Sequence, residues 1–375
     1  MGHFHIIQGI GKSAYELDFP RDMRRFHVVN FLLKKYLSSA RFEDTLSSFT
    51  SYRLQRSYND FIMRYDVALG TNTMGAKNVL HFAKKCLKLQ NLVHVSTAYV
   101  CGEKSGLVLE KAFEMGETLN GTLDLDIEHE RKVVRETLDD LRAQGVTKEF
   151  QRTAMKELGL QRARHYGWPN TYAFTKAMGE MLIGLLREDL PVTILCPSIV
   201  TSTIREPFPG WTEGISHIDS YHIGYGKGKI PCFIVDPALV IDLIPGDMAA
   251  NAMVVASVLH ANQPSQYICH VSTSFRKPLK TLKVKDYGYE YFSRNSWINE
   301  HGKPVKVTRP VILPSMESFC MYISIRYLPI LKVLQLLNAV LCQYLQGLYK
   351  DLNGKIKLVL RLGELYEPYI FFKGV

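Results

Sequence analysis

The spacing of tyrosine and lysine is the first feature of this sequence that points to chemistry. When a lysine follows a tyrosine by four residues on a helix, both side chains lie on one helix face. The ammonium then stabilises the phenolate and lowers the pKa of the phenol, which can pass a proton to a carbonyl oxygen. The spacing occurs in three pairs: Tyr172 and Lys176, Tyr225 and Lys229, and Tyr369 and Lys373.

The neighbouring residues favour the first of these pairs. Tyr225 lies in the glycine-rich stretch 224–228, which predicts a poor helix, and Tyr369 directly follows a proline. Tyr172, in contrast, begins a segment in which apolar residues recur at helical spacing up to about Asp189. We therefore expect Tyr172 and Lys176 to act as a proton donor and its helper.

Hydroxyl and amide side chains that could assist this tyrosine–lysine pair occur upstream of it in the sequence. Ser96 and Thr97 follow a β-prone run, and ligands of open α/β sheets bind at the carboxyl ends of strands. A hydroxyl there can donate to a substrate carbonyl, although simple capping of the strand end is the alternative. Asn72 is predicted to lie within a helix, where it either holds a water or a backbone carbonyl or is merely exposed.

Two successive pairs of helix and strand predict an α/β fold. The amphipathic segment Tyr65–Leu89 precedes the run Leu92–Ser96, and the helix that starts near Tyr172 precedes the buried run Pro191–Pro197. This alternation is typical of a doubly wound, Rossmann-like parallel sheet. The charged segment between the pairs, Ile127–Gly167, predicts one or two exposed helices inserted between core elements.

The chain is expected to divide into three segments. Residues 1–58 are divergent, residues 59–260 form a Rossmann-like domain, and residues 261–375 form a smaller, mostly helical C-terminal domain. In the last segment, Met321–Leu345 is apolar but interrupted by charged residues and a proline. This pattern favours a buried pair of helices over a membrane anchor.

Composition narrows the range of partners. The 375 residues include 46 basic and 36 acidic side chains, a formal charge of +10. A basic surface suits an anionic ligand or peripheral contact with a membrane, and no helix-turn-helix, zinc-ligand or RNA-binding pattern supports a nucleic acid partner. The 7 cysteines include no C-x-x-C pair. Without a secretory leader they are expected to be reduced thiols inside the cell, and no metal site is predicted.

Longer runs resemble a known family. Leu92–Gly106 and Gly167–Lys176 resemble the plant alcohol-forming fatty acyl-CoA reductases, which are extended short-chain dehydrogenases of the male-sterility type. The resemblance covers roughly residues 60 to 375. It continues through the runs Pro197–Val200, Arg205–Trp211, Asp242–Met248, Asp286–Gly288 and Leu365–Tyr369.

This resemblance implies roles for individual residues. Thr97, with Ser96 beside it, matches the catalytic hydroxyl position, Tyr172 the proton donor and Lys176 its helper. Asn72 matches a fourth member of the site less closely. Four residues match the loop that lies against the nicotinamide: Pro197, Ser198, Ile199 and Thr201. Together with Ser96 and Asn72, they are the expected contacts of the cofactor.

The resemblance also implies a reaction. NADPH is the expected reductant, and a long-chain acyl-CoA is expected to be reduced through an aldehyde to a primary alcohol for wax, suberin or pollen-wall lipid. The helical C-terminal domain is the expected cover for the acyl chain. The endoplasmic reticulum surface facing the cytosol, or the plastid, is the expected location, and the sequence does not predict an oligomeric state.

The glycine-rich cofactor loop of such reductases is not recognisable. The nearest match is Gly9-Ile10-Gly11-Lys12-Ser13-Ala14, whose spacing is imperfect and which meets Asp18 and Pro20 within two turns. We expect this match to be coincidental and the chain to be shortened at both ends relative to the family. Two alternatives follow: a non-catalytic relative that binds acyl groups or a full-length partner but not NADPH, and a sterol or sugar-nucleotide reductase of the same superfamily.

Overall fold

Three parallel strands form the largest sheet of the described residues. The structure, a computed structural model, describes residues 6–9, 15–17, 63–212, 217–340 and 343–374. It divides into two units. Unit 1 comprises Met1–Gly102, Leu109–Gly214 and Ile244–Ser272, and unit 2 comprises Glu103–Val108, Ile215–Leu243 and Thr273–Val375.

The N-terminal residues contribute one antiparallel pair of strands. Strand β1 (Ile6–Gly9) pairs with β2 (Tyr15–Leu17). Gly9 ends β1, and the rest of the candidate cofactor loop, residues 10–14, lies outside the described residues.

Unit 1 is built on strands β3 (Leu92–Val95), β4 (Val192–Pro197) and β9 (Gln266–Val271). They lie in the order β3-β4-β9 and all run parallel, with Val95 opposite Leu195 and Leu195 opposite Cys269. Every residue of β4 is buried, as expected for a strand between two neighbours and two helical layers.

Helices cover both faces of this sheet. Helix α2 (Gly75–Ala83) and helix α5 (Thr171–Leu186) pack on one face against Leu92, Val192 and Ile194. Helix α7 (Gly246–Leu259) packs on the other face, where Ala256 meets Val93 and Leu195. The alternation of side chains along β3 and β4 explains this division. The predicted doubly wound α/β sheet is confirmed.

A π-helical turn interrupts the first helix of unit 1. Helix α1 (Tyr65–Ala68) passes into a π turn, Leu69–Met74, and then into α2. Gly179 of α5 lies against this turn, and a Cβ atom added to it would come within 2.6 Å of the Asn72 carbonyl oxygen. The glycine therefore permits close contact between α5 and the π turn.

The charged insertion forms two helices, α3 (Ile127–Ala143) and α4 (Lys148–His165). The fully buried Glu130 ties them to α1: it accepts hydrogen bonds from the Tyr65 hydroxyl at 2.6 Å and from Arg162 Nε at 3.0 Å. Between β3 and α3, a 3-10 turn, Ala98–Cys101, follows the strand end directly.

The other elements are short strands and longer helices. In unit 1, β5 (Ile199–Thr201) pairs with β8 (Leu243–Pro245). Those of unit 2 are α6 (His217–Gly226), β6 (Cys232–Ile234), β7 (Val240–Ile241), β10 (Leu279–Lys280), α8 (Thr281–Arg294), β11 (Val311–Leu313), α9 (Met316–Val340) and α10 (Gln346–Ile370).

One local prediction is right only in part and another is wrong. The glycine-rich stretch 224–228 was predicted to be a poor helix: α6 includes its first three residues but ends at Gly226, so that Lys229 lies beyond the helix. The Tyr225 ring is buried, and its hydroxyl donates to the Thr308 carbonyl at 2.7 Å. The stretch Met321–Leu345 was predicted to be a buried pair of helices. It instead belongs mainly to the single helix α9, in which Phe319, Ile323, Leu331 and Asn338 are the buried residues.

By length and composition alone, α9 is the one helix of the described residues that is long and apolar enough to cross a membrane. A core helix of a soluble protein passes the same test.

Candidate active site

The N-terminal part of α5 carries the predicted proton donor Tyr172 and its helper Lys176, which are called the acid pair below. Asn170 caps the helix, and its side chain accepts a hydrogen bond from the Ala173 backbone N–H at 2.9 Å. The cap fixes the first turn, so that Tyr172 and Lys176 lie one turn apart on the same face. Both side chains are half-buried.

Lys176 connects α5 to the sheet. Its Nζ donates to the Val95 carbonyl oxygen at 3.0 Å and lies 5.9 Å from the centroid of the Tyr172 ring. Burial lowers the pKa of Lys176, and the carboxyl group of Glu180 opposes that effect. The ammonium is therefore held at the carboxyl end of β3, where the predicted hydroxyls lie.

Ser96 and Thr97 are both buried at this strand end but have different partners. The Ser96 backbone N–H donates to the Leu195 carbonyl at 2.7 Å, which extends the pairing of β3 with β4, and its hydroxyl donates to Glu180. The Thr97 hydroxyl oxygen accepts from the Tyr99 N–H at 3.4 Å and so caps the 3-10 turn. The alternative prediction, in which this hydroxyl group caps the backbone, therefore describes one contact of Thr97. The hydroxyl oxygen is the acceptor in that contact, so the hydroxyl proton is not used in it.

Sequence reasoning missed Glu180. This residue is 2% exposed, hydrogen-bonds to Ser96 and lies on the same stripe of α5 as Tyr172 and Lys176, at intervals of four residues. Burial raises its pKa to about 7, while the Ser96 hydroxyl and Lys176 act in the opposite direction. The available signal was an acidic residue among the apolar residues of an otherwise core-facing helix.

Two further titratable groups lie on this face of the sheet. Burial, and then the charge of Lys176, lower the pKa of His94 to about 3, so the imidazole is neutral at physiological pH. Among the described residues, His94 Nε2 has no hydrogen-bond partner. Burial and the nearby carboxyl of Glu180 raise the pKa of Cys196, which argues against a thiolate nucleophile.

Asn72 points to α5. Its Nδ2 donates to the Thr175 hydroxyl at 2.9 Å, and the neighbouring Thr73 hydroxyl donates to the Thr175 carbonyl at 2.8 Å. Asn72 is buried, so the alternative of a merely exposed helix residue is wrong. The structure thus brings Asn72 to the helix that carries the acid pair.

The segment predicted to lie against a nicotinamide follows β4. Pro197 ends the strand, and the Ser198 backbone N–H donates to the Val271 carbonyl at 3.0 Å. Ile199 and Thr201 are the ends of β5, and both are half-buried. Because β3 and β4 are parallel neighbours, this segment and Thr97 lie at the same edge of the sheet.

Comparison with known proteins identifies the chain's family. Residues 58–253 of the 375 match the family described as male sterility protein, a family of NAD-binding domains. The chain belongs to the male sterility family. The predicted resemblance is thereby confirmed.

Named relatives of this family are fatty acyl-CoA reductases. An alcohol-forming fatty acyl-CoA reductase of Simmondsia chinensis is 49% identical over 320 residues, which are 84% of this chain and 64% of that protein. A putative fatty acyl-CoA reductase 7 of Arabidopsis thaliana is 44% identical over 315 residues, 83% of this chain and 76% of that protein. The chain thus spans less than two thirds of the length of the first of these relatives.

A solved structure also resembles the chain. It is the terminal R domain from the myxalamid PKS-NRPS pathway, with a TM-score of 0.40 and 17% identity over 78% of this chain and 52% of that one. At this TM-score and identity the resemblance carries no argument, and the fold is described from the chain's own strands alone.

The residues at this edge of the sheet fit the nicotinamide half of a dinucleotide cofactor, which the male sterility family implies. An ammonium has three N–H donors. The Val95 carbonyl takes one donor of Lys176, and the others can serve the hydroxyls of a ribose. Because Tyr172 and Lys176 are only half-buried, a ligand can reach them. Among the described residues, no group of three or more His, Cys, Asp or Glu side chains is arranged to hold a metal ion.

Proposed function

We propose that the chain reduces a long-chain acyl-CoA, with NADPH, through an aldehyde to a primary alcohol. One observation carries the proposal: the hydrogen bond from Lys176 Nζ to the Val95 carbonyl, at 3.0 Å, joins the tyrosine-bearing face of α5 to the strand end that carries Thr97. This hydrogen bond thus joins the two elements that carry the proposed groups: the phenol of Tyr172 and the ammonium of Lys176 on α5, and the hydroxyl of Thr97 after β3. The names of the relatives support the choice of an acyl-CoA as substrate.

Each of the three residues has a distinct role in this proposal. Tyr172 gives its proton to the oxygen of the carbonyl that is reduced, and Lys176 keeps the phenol acidic by stabilising the phenolate. Thr97 donates its hydroxyl proton to the same oxygen and stabilises the developing negative charge. The Ser96 hydroxyl does not act as a second donor in this proposal, because it donates its hydrogen bond to Glu180.

The bound cofactor supplies a hydride for each of the two reductions. Lys176 and the segment 197–201, with Pro197, Ser198, Ile199 and Thr201, are the proposed contacts of its nicotinamide half, and Asn72 supports them through Thr175. The overall balance is one acyl-CoA, two NADPH and two protons, giving one primary alcohol, free coenzyme A and two NADP⁺. The preference for NADPH over NADH is part of the proposal.

Peripheral contact with a membrane surface is a further part of the proposal. A long-chain alcohol partitions into lipid, and α9 exposes a row of apolar side chains that includes Ile325 and Leu336. The surface of the endoplasmic reticulum facing the cytosol, or the plastid, is the proposed location.

The function is tested with the purified chain, NADPH and a saturated long-chain acyl-CoA. We expect primary alcohol to form with two NADPH oxidised for each alcohol, and NADH to be used less well. A chain that binds the acyl-CoA but has no affinity for NADPH at about millimolar concentration, the upper end of ordinary KM values, would contradict the proposal. That result would favour the non-catalytic alternative.

A further inference from the structure

The buried carboxyl group of Glu180 is the strongest feature of the site that the proposed roles leave unused. We propose that Glu180 is a positioning residue: it holds the end of β3 through Ser96 and places a carboxyl group one helical turn from the ammonium of Lys176. The catalytic part of this inference rests on the proposed function. Its structural part is independent of that function.

The geometry is a double clasp between one helix and one strand end. Lys176 and Glu180 lie one turn apart on α5 and contact the last residue of β3 and the residue after it: Lys176 Nζ donates to the Val95 carbonyl, and Glu180 accepts from the Ser96 hydroxyl. Thr97 is the next residue of the chain. The clasp therefore fixes where Thr97 emerges relative to α5, and a displacement of about 1 Å in a catalytic group can cost about a hundredfold in rate.

The residues of this stripe differ in burial. Tyr172 and Lys176 are half-buried, whereas Glu180 is 2% exposed. A ligand can therefore reach Tyr172 and Lys176 but not Glu180, which supports a positioning role for this carboxyl group.

A purely structural role explains Glu180 poorly. Burial of a carboxyl group costs free energy, and an apolar residue of similar size usually packs as well or better. The other core-facing residues of α5 include Met178, Met181 and Ile183, all buried and apolar, so an acidic residue on this helix is an exception. Packing alone therefore does not account for a carboxyl group at this position.

The electrostatic surroundings allow Glu180 to act on Lys176. The titratable groups that act on this cluster come from five elements: Lys176 on α5, His94 on β3, Cys196 on β4, Cys269 on β9 and Cys101 in the 3-10 turn. Lys176 is the one cation among them. Ionised Glu180 raises the pKa of Lys176 and thereby opposes the effect of burial.

The first test compares the pH dependence of kcat/KM in the wild type and in Glu180→Gln. The amide oxygen can still accept from Ser96, but the negative charge is gone. We expect the alkaline limb of the profile to move to lower pH by about one unit, since a close opposite charge shifts a pKa by about that amount or more. Glu188→Gln, at an exposed position just beyond the same helix, is the matched control and should leave the profile unchanged.

Ser96→Ala separates the hydrogen bond from the charge. This variant keeps Glu180 but loses the clasp, so kcat should fall by about tenfold or more from displacement of Thr97, with the alkaline limb in its wild-type position. Wild-type profiles and turnover in both Glu180→Gln and Ser96→Ala would overturn the proposal.

A second measurement needs neither cofactor nor substrate. Infrared difference spectroscopy of the purified chain should detect a buried carboxyl group that titrates near pH 7. In Ser96→Ala this titration should move to higher pH, because the hydroxyl that favours the carboxylate is lost. This readout remains decisive if Glu180→Gln does not fold or if the chain does not reduce acyl-CoA. An unmoved titration in Ser96→Ala would contradict the clasp.

Discussion

Two neighbouring hydroxyls at the end of β3 have different partners. The Ser96 hydroxyl donates to the buried carboxyl group of Glu180, whereas the Thr97 hydroxyl oxygen accepts from the Tyr99 backbone N–H. At the scale of single residues, the two hydroxyls are thus divided between different contacts. Their order in the sequence does not reveal this division, because both follow the same strand.

Substitution of Thr97 tests this division. Thr97→Val keeps the shape but removes the donor, and turnover should fall by about a hundredfold to a thousandfold, as for the loss of one donor to a developing oxyanion. Thr97→Ser keeps a hydroxyl and should retain most of the turnover. Equal steady-state rates for the valine and serine variants would show that the hydroxyl does not act on the substrate.

Protonation of Glu180 should appear in the stability of the chain. Burial raises the pKa of Glu180 from 4.5 to about 7, so between these values the folded state holds a proton that the unfolded state releases. This contribution to the free energy of unfolding is complete below the unfolded pKa and is lost as pH rises through the folded one.

Relative to wild type, Glu180→Gln should therefore gain stability across that window, by up to about 3 kcal/mol. Urea denaturation at pH 5, 6, 7 and 8 measures the difference, with Glu188→Gln as the exposed control. A difference between Glu180→Gln and wild type that is constant over this range would contradict the assignment.

At the scale of elements, the contact between α5 and the π turn decides where the acid pair lies. Gly179 and Gly184 on α5 form a matched pair for testing it. An added Cβ would come within 2.6 Å of the Asn72 carbonyl oxygen at Gly179, but only within 3.3 Å of the Gln266 side-chain end at Gly184.

Gly179→Ala should therefore destabilise the chain by about 1–3 kcal/mol through overpacking against backbone. Gly184→Ala should be neutral or should stabilise the chain by about 0.5–1 kcal/mol, the usual gain in a helix interior. Thermal unfolding of both variants checks the prediction. Equal changes in Tm would mean that the helix and the π turn are not in close contact.

Hydrophobic periodicity predicts β3, β4 and the helix that precedes each of them, because their buried side chains recur at the spacing of a helix or form a short apolar run. The predicted runs Leu92–Ser96 and Pro191–Pro197 lie within one residue of β3 and β4. The same reasoning is right only in part at Tyr225, which lies in the last turn of α6 with a buried ring, although the helix ends at the next glycine. It also misses Glu180, because spacing gives the helix face of a residue but not the strand end that the face meets.

At the scale of the whole molecule, the described chain has two units and a surface that is partly apolar. In unit 2, Ile325 and Leu336 of α9 are 71% and 69% exposed, and Arg326 and Lys332 of the same helix are exposed as well. Apolar and basic side chains on one helix are typical of contact with an anionic lipid surface.

Flotation with vesicles that contain anionic lipid tests this surface. The double variant Ile325→Glu and Leu336→Glu should lose most of the binding that the wild type shows at low salt, because it removes apolar contact and adds repulsion. Leu87→Glu, at a fully exposed position of unit 1, should bind as the wild type does. Equal flotation of the α9 double variant and the wild type would exclude α9 as the contact surface.

The central claim is that Tyr172 donates the proton in the reduction of an acyl-CoA. The most direct test is the turnover of Tyr172→Phe with NADPH and a long-chain acyl-CoA, with cofactor affinity measured in parallel. Tyr225→Phe, the same change in a second tyrosine–lysine pair, is the control and should keep wild-type turnover. We predict that Tyr172→Phe binds NADPH normally and loses about two or more orders of magnitude in kcat. Wild-type turnover in Tyr172→Phe would contradict the account.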